Sequence, residues 1–130
     1  MTTRTSQLPT FGTVDLPIDL GGDQTVVFRI RPIPAPEWSA IQDRHSIEGS
    51  DERWSIRDAA EDLLTEGVTS FYSNKQSTPV DFDREDAKEI LATWPPYARD
   101  DLVGAVIAAT TQGPAANPFS RLNRNGNAAD

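Results

Sequence analysis

The stretch Phe82-Asp-Arg-Glu-Asp-Ala-Lys-Glu-Ile-Leu-Ala-Thr-Trp94-Pro-Pro-Tyr97-Ala-Arg-Asp-Asp-Leu102-Val-Gly-Ala-Val106 decides how this chain reads. Ala87, Ile90, Leu91 and Trp94 recur at helical spacing, and Leu102, Val103, Val106 and Ile107 repeat the pattern beyond the prolines. Apolar residues at i, i+3, i+4 and i+7 bury one stripe of a helix, so the stretch predicts two amphipathic helices broken by a Trp-Pro-Pro corner. Asp83 is placed to cap the first helix with Asp86 answering three residues on, and Phe82 with Ala87 makes a hydrophobic staple. Neither apolar face carries a reactive group. Such a unit packs and binds; it does not obviously catalyse.

Upstream, the periodicity changes. Val14, Leu16, Ile18 and Leu20 alternate with Asp15, Pro17 and Asp19, and Val26, Phe28 and Ile30 alternate with Val27, Arg29 and Arg31. Alternation of this kind marks two half-buried strands, joined at Gly21-Gly22-Asp23 as a β-hairpin. A two-residue turn would set Val14 against Arg29, whereas a three-residue turn pairs Val14 with Ile30, Leu16 with Phe28 and Ile18 with Val26. The second keeps the apolar faces together and is the expected register. Pro17 has no N–H to give to a ladder, so its strand belongs at an edge.

Pro32, Pro34 and Pro36 end the hairpin, and Pro36 suits the first turn of a helix reaching about His45, with Trp38 and Ile41 on its stripe. A second helix is expected over about 52–66 from Ile56, Ala59, Ala60, Leu63 and Leu64, with Gly67 as its C-cap. Ser73 to Pro79 read as a polar loop, and the last helix runs from about Tyr97 to Thr111 before the Gly113-Pro114 stop. The fold class is therefore α+β, mainly α: an N-terminal β-hairpin followed by about four short helices. Residues 1–10 read as a flexible arm, 11–113 as a single domain, and 114–130 as a disordered tail rich in Asn, Ala, Gly and Pro.

Composition bounds the function. Twenty Asp and Glu against twelve Lys and Arg give a formal charge of −8, which repels nucleic acid and anionic lipid. The absence of cysteine removes disulfides, thiol nucleophiles and thiolate metal sites together. Residues 1–9 lack an apolar signal core, and no apolar run approaches the roughly 20 residues of a spanning helix. A soluble, cytosolic protein with no membrane partner is expected.

Candidate chemistry is sparse. Asp81, Asp83 and Glu85 alternate like calcium ligands, but Asp86 occupies the glycine position of such a loop and Ala92 the position of its bidentate glutamate. Helix capping explains them better. His45 is the only histidine, and no nucleophile elbow, phosphate-cradling loop or dinucleotide fingerprint accompanies it. No catalytic, cofactor or metal residue is assigned, and the chain is not read as an enzyme. Aromatic residues are the remaining candidates, because Trp and Tyr give large contact area at low entropy cost. Trp38 and Trp94 lie on helical stripes and belong to the core. Trp54, Tyr72 and Tyr97 fall off the stripes or beside breaks and are expected to be exposed; with Phe71 they form the candidate partner-binding set.

The order of these pieces resembles a known family. Thr25-Val-Val-Phe-Arg-Ile-Arg-Pro-Ile-Pro34 leads into Ala35-Pro-Glu-Trp38-Ser-Ala-Ile41, and a middle helix, Gly67-Val68, a polar loop, the Asp83 to Pro95 helix and an aliphatic helix ending near Thr111 follow. This is similar to the tail assembly chaperones of long-tailed, siphovirus-type bacteriophages, particularly those of actinobacterial hosts, over about residues 24–112. The resemblance implies a morphogenesis factor in the host cytoplasm, absent from the mature virion. It would bind the tape measure protein, a long helical chain, until tail tube protein polymerises around it. The tail tube protein is then a second implied partner, and self-association a further option. In such families a ribosomal frameshift often adds a longer product, and the stretch after Gly113 is where that junction would lie. The alternative is a small structural virion component, a head–tail connector or minor tail protein, using the hairpin as an assembly edge.

Overall fold

A computed structural model describes residues 11–47 and 53–113. The elements in chain order are β1 (Val14–Gly21), β2 (Gln24–Ile30), α1 (Ala35–Arg44), α2 (Ile56–Gly67), β3 (Val68–Ser73), β4 (Val80–Asp81), α3 (Arg84–Thr93) and α4 (Pro96–Thr111). The class is α+β, with a hairpin at the start and four helices after it. The expected arm over 1–10, the tail over 114–130 and the break at Gly49 to Glu52 lie outside the described residues.

The hairpin has the register that the apolar alternation demands: Val14 opposite Ile30, Leu16 opposite Phe28, Ile18 opposite Val26. It reaches that register by a different turn. Gly22 and Asp23 form a two-residue loop with φ of 58° and 61°, the positive values a type I′ turn needs, and the pairing shifts between Asp19 and Gly21. The extra residue is a bulge at Leu20, held by the Gly21 N–H donating to Asp19 Oδ1 at 2.8 Å. One bulged residue thus does the work assigned to a third turn residue. Pro17 lies on an edge strand, as its missing donor requires.

The hairpin is only half of the sheet, because β3 pairs antiparallel with β2 and β4 with β3 in the order β1-β2-β3-β4. Phe71 faces Phe28 and Tyr72 faces Val27 across the β2–β3 ladder. Val68 to Ser73 starts directly where α2 stops, with no turn residue between them. Gly67 is not the left-handed cap the sequence suggested. It is the last residue of α2, and a Cβ there would collide with the Val106 side chain, so glycine is needed for the close approach of α2 to α4.

The other caps follow the sequence. Asp83 accepts from the Asp86 N–H at 3.0 Å while Asp86 Oδ2 accepts from the Asp83 N–H at 3.0 Å, a reciprocal capping box. Gly113, with φ of 92°, follows the C-cap of α4 in the left-handed conformation that glycine takes without strain. The core gathers Leu16, Ile18, Phe28 and Ile30 from the hairpin with Leu63, Leu64, Ile90, Leu102 and Val106 from the helices.

Candidate binding surfaces

The four aromatic candidates go to four different environments. Trp54 is half-buried, its ring edge-on to Trp38 at 5.3 Å, and it carries an isolated β-bridge to Ser46 across the described ends of the α1–α2 connection. Phe71 is half-buried in an aromatic cluster, 6.0 Å from Phe28 and 6.2 Å from Phe82. Tyr72, next along the same strand, points to the opposite face of the sheet and is also half-buried. Tyr97 is exposed, and its hydroxyl donates to the Asp19 carbonyl at 2.7 Å, tying the head of α4 to β1. Of the three aromatics expected to be exposed, Trp54 and Tyr72 are therefore half-covered. The expected core residues Trp38 and Trp94 are half-covered too: Trp94 caps α3 at the core's rim, 5.6 Å from Phe28.

His45 is held in a polar node that sequence reasoning did not foresee. Asp62 on α2 is buried, and its Oδ2 accepts from Arg44 at 2.6 Å and from His45 Nε2 at 2.8 Å, while Oδ1 accepts from Arg84 at 3.0 Å. Arg84 also reaches Glu61 at 2.6 Å. Burial pushes the Asp62 carboxyl up, but the hydrogen bonds from His45, Arg44 and Arg84 outweigh it and hold it down at about 2. An ionised partner at Oδ2 requires the proton on Nε2 of His45. The node joins α1, α2 and the start of α3. A signal was available: Asp62 stands among Ala59, Ala60, Leu63 and Leu64 on the buried stripe, where a carboxylate needs cations. Asp83 and Asp86 are occupied in capping. Among the described residues no cluster of three or more histidine or acidic side chains is arranged to hold a metal ion.

A concavity lies elsewhere on the surface. The start of β1, the β2–α1 link and the end of α4 enclose an open groove of about 810 Å³. Val14, Ile33, Pro34, Trp38 and Ala109 line it with Phe11, which is 85% exposed, and none of its lining residues is charged. The Ile33 N–H donates to Thr110 Oγ1 at 3.0 Å, fixing the link against the helix end. Trp38 of this lining packs edge-on against Trp54, which is not itself part of the groove. Residues from three separate parts of the chain build the groove, so no local motif announces it. Comparison with protein families, curated proteins and solved structures finds no match to the chain.

Proposed function

We propose that the protein is a tail assembly chaperone that binds an apolar helical partner, the tape measure protein, during phage tail morphogenesis. The reading rests on the resemblance over about residues 24–112, and one observation supports it above the others: the uncharged groove beside Trp38, in a chain with 20 acidic and 12 basic residues. An apolar helix laid in such a groove buries its anchors at i, i+3, i+4 and i+7. The acidic remainder of the surface keeps the complex dispersed. Tail tube protein is a second candidate partner within the same reading.

Ala35 is an exposed groove residue in the first turn of α1, where a glutamate suits the helix dipole. Ala35→Glu therefore adds charge to the groove while sparing the core. Co-expression with the chain is expected to keep a tape measure fragment soluble, and Ala35→Glu to lose that effect with an unchanged circular dichroism spectrum. A fragment equally insoluble with and without the protein refutes the chaperone reading and favours the virion-component alternative. Mass spectrometry of purified virions then decides for that alternative if the chain is present.

A further inference from the structure

A second groove, of about 580 Å³, runs between α2, α3 and α4 and has the opposite character. Ile56, Ala60, Leu91 and Val103 line it together with Arg57, Arg99 and Asp100, and Ile56 is 46% exposed. Arg57 stands on α2 and Arg99 on α4, both lining the same groove. Arg99 is engaged by Asp100 at 3.0 Å, whereas Arg57 is exposed and makes no ion pair among the described residues. Arg44 and Arg84, by contrast, are spent on the Asp62 node, and Arg29 and Arg31 pair with Asp15 and Glu66. Arg53 is exposed in the same way, but of the two only Arg57 lines this groove, beside exposed Ile56, where a carboxylate from outside can reach it.

We propose that this groove seats an acidic amphipathic segment of a protein partner, with its aliphatic side chains on Ile56, Leu91 and Val103 and its carboxylates on Arg57 and Arg99. Arginine favours this role because its planar fork meets a carboxylate with two parallel hydrogen bonds. The aliphatic floor selects a peptide over a nucleic acid backbone, which offers phosphates but no apolar side chains. The inference concerns a surface apart from the groove beside Trp38 and stands whether or not the chaperone reading holds.

The test uses the full chain and two fluorescein-labelled synthetic helices of 18 residues. Both carry leucine at i, i+3, i+4 and i+7; one has glutamate along the flanks, the other lysine. In fluorescence anisotropy the glutamate helix is expected to bind, with affinity about tenfold weaker for Arg57→Glu and for the lysine helix. Arg57 is exposed, so the variant is expected to melt as the parent does, and Arg99→Gln gives a second, milder loss. Ala35→Glu is expected to leave this binding unchanged, which separates a failure here from a failure of the chaperone reading. Equal affinity for the two helices, no binding up to about 1 mM, or indifference to Arg57→Glu overturns the proposal. Heparin binding that depends on Arg57 without binding of the glutamate helix also overturns it and assigns a polyanion surface instead.

Discussion

Asp62 carries more than one residue's share of the fold, because a single carboxylate orients two arginines and a histidine from two other helical regions. Its pKa lies below the ordinary value of 3.8, at about 2, so the folded state favours the ionised form. A depressed folded pKa contributes stability that is present above the unfolded value and lost as the pH falls through the folded one. The shift corresponds to at most ~2 kcal/mol, an upper bound since Arg44 and Arg84 are 57% and 43% exposed and solvent screens them. Urea unfolding at neutral pH is therefore expected to find Asp62→Asn less stable by up to this amount. Between pH 4 and pH 2 the gap should close as the parent's carboxylate takes up its proton. A gap that stays constant over that window would mean that packing, and not charge, is what the substitution removes.

At the scale of elements, the α2–α4 contact depends on an absent side chain. Gly67 brings the end of α2 against Val106, and any Cβ would overlap that valine. Overpacking a well-filled site costs roughly 1–3 kcal/mol, more than the helix propensity that alanine would add. Gly67→Ala is accordingly expected to lower the melting temperature by several degrees. The double variant Gly67→Ala, Val106→Ala should recover part of the loss, and no recovery would place the strain elsewhere. The same glycine explains why the sheet was only half legible. Strong alternation in Val14 to Ile30 specifies the hairpin and its register, because a one-residue slip would turn Leu16 and Phe28 outward. Val68 to Ser73 is equally rich in strand formers, but it follows α2 without a turn, and a glycine at a helix end reads as a stop rather than a contact. Local chemistry such as the Asp83–Asp86 box is visible in sequence because its partners are three residues apart. The grooves are not, since Trp38 meets Val14 and Ala109 only through the tertiary fold.

For the molecule as a whole, the two grooves divide the work of a charge of −8 differently, and ionic strength separates them. The groove beside Trp38 has no charged lining residue, so an apolar helix bound there gains its affinity from area removed from water, about 25 cal/mol per Å² before the costs of ordering. Charge then governs encounter rate and dispersal of the complex. The groove of Arg57 and Arg99 gains from Coulomb attraction at a wet rim, which salt weakens. At about 0.5 M salt the Debye length is only ~4 Å, short enough to screen a carboxylate on Arg57 but irrelevant to buried aliphatic contact. Capture of a tape measure fragment is thus expected to survive that salt, with slower association or faster association depending on the fragment's own charge. Binding of the glutamate helix is expected to fall several-fold in the same buffer. The reverse pattern, with the fragment released by salt and the glutamate helix retained, would exchange the roles assigned to the two surfaces. Loss of both together would mean that charged contacts, and not buried aliphatic area, carry the binding at both surfaces.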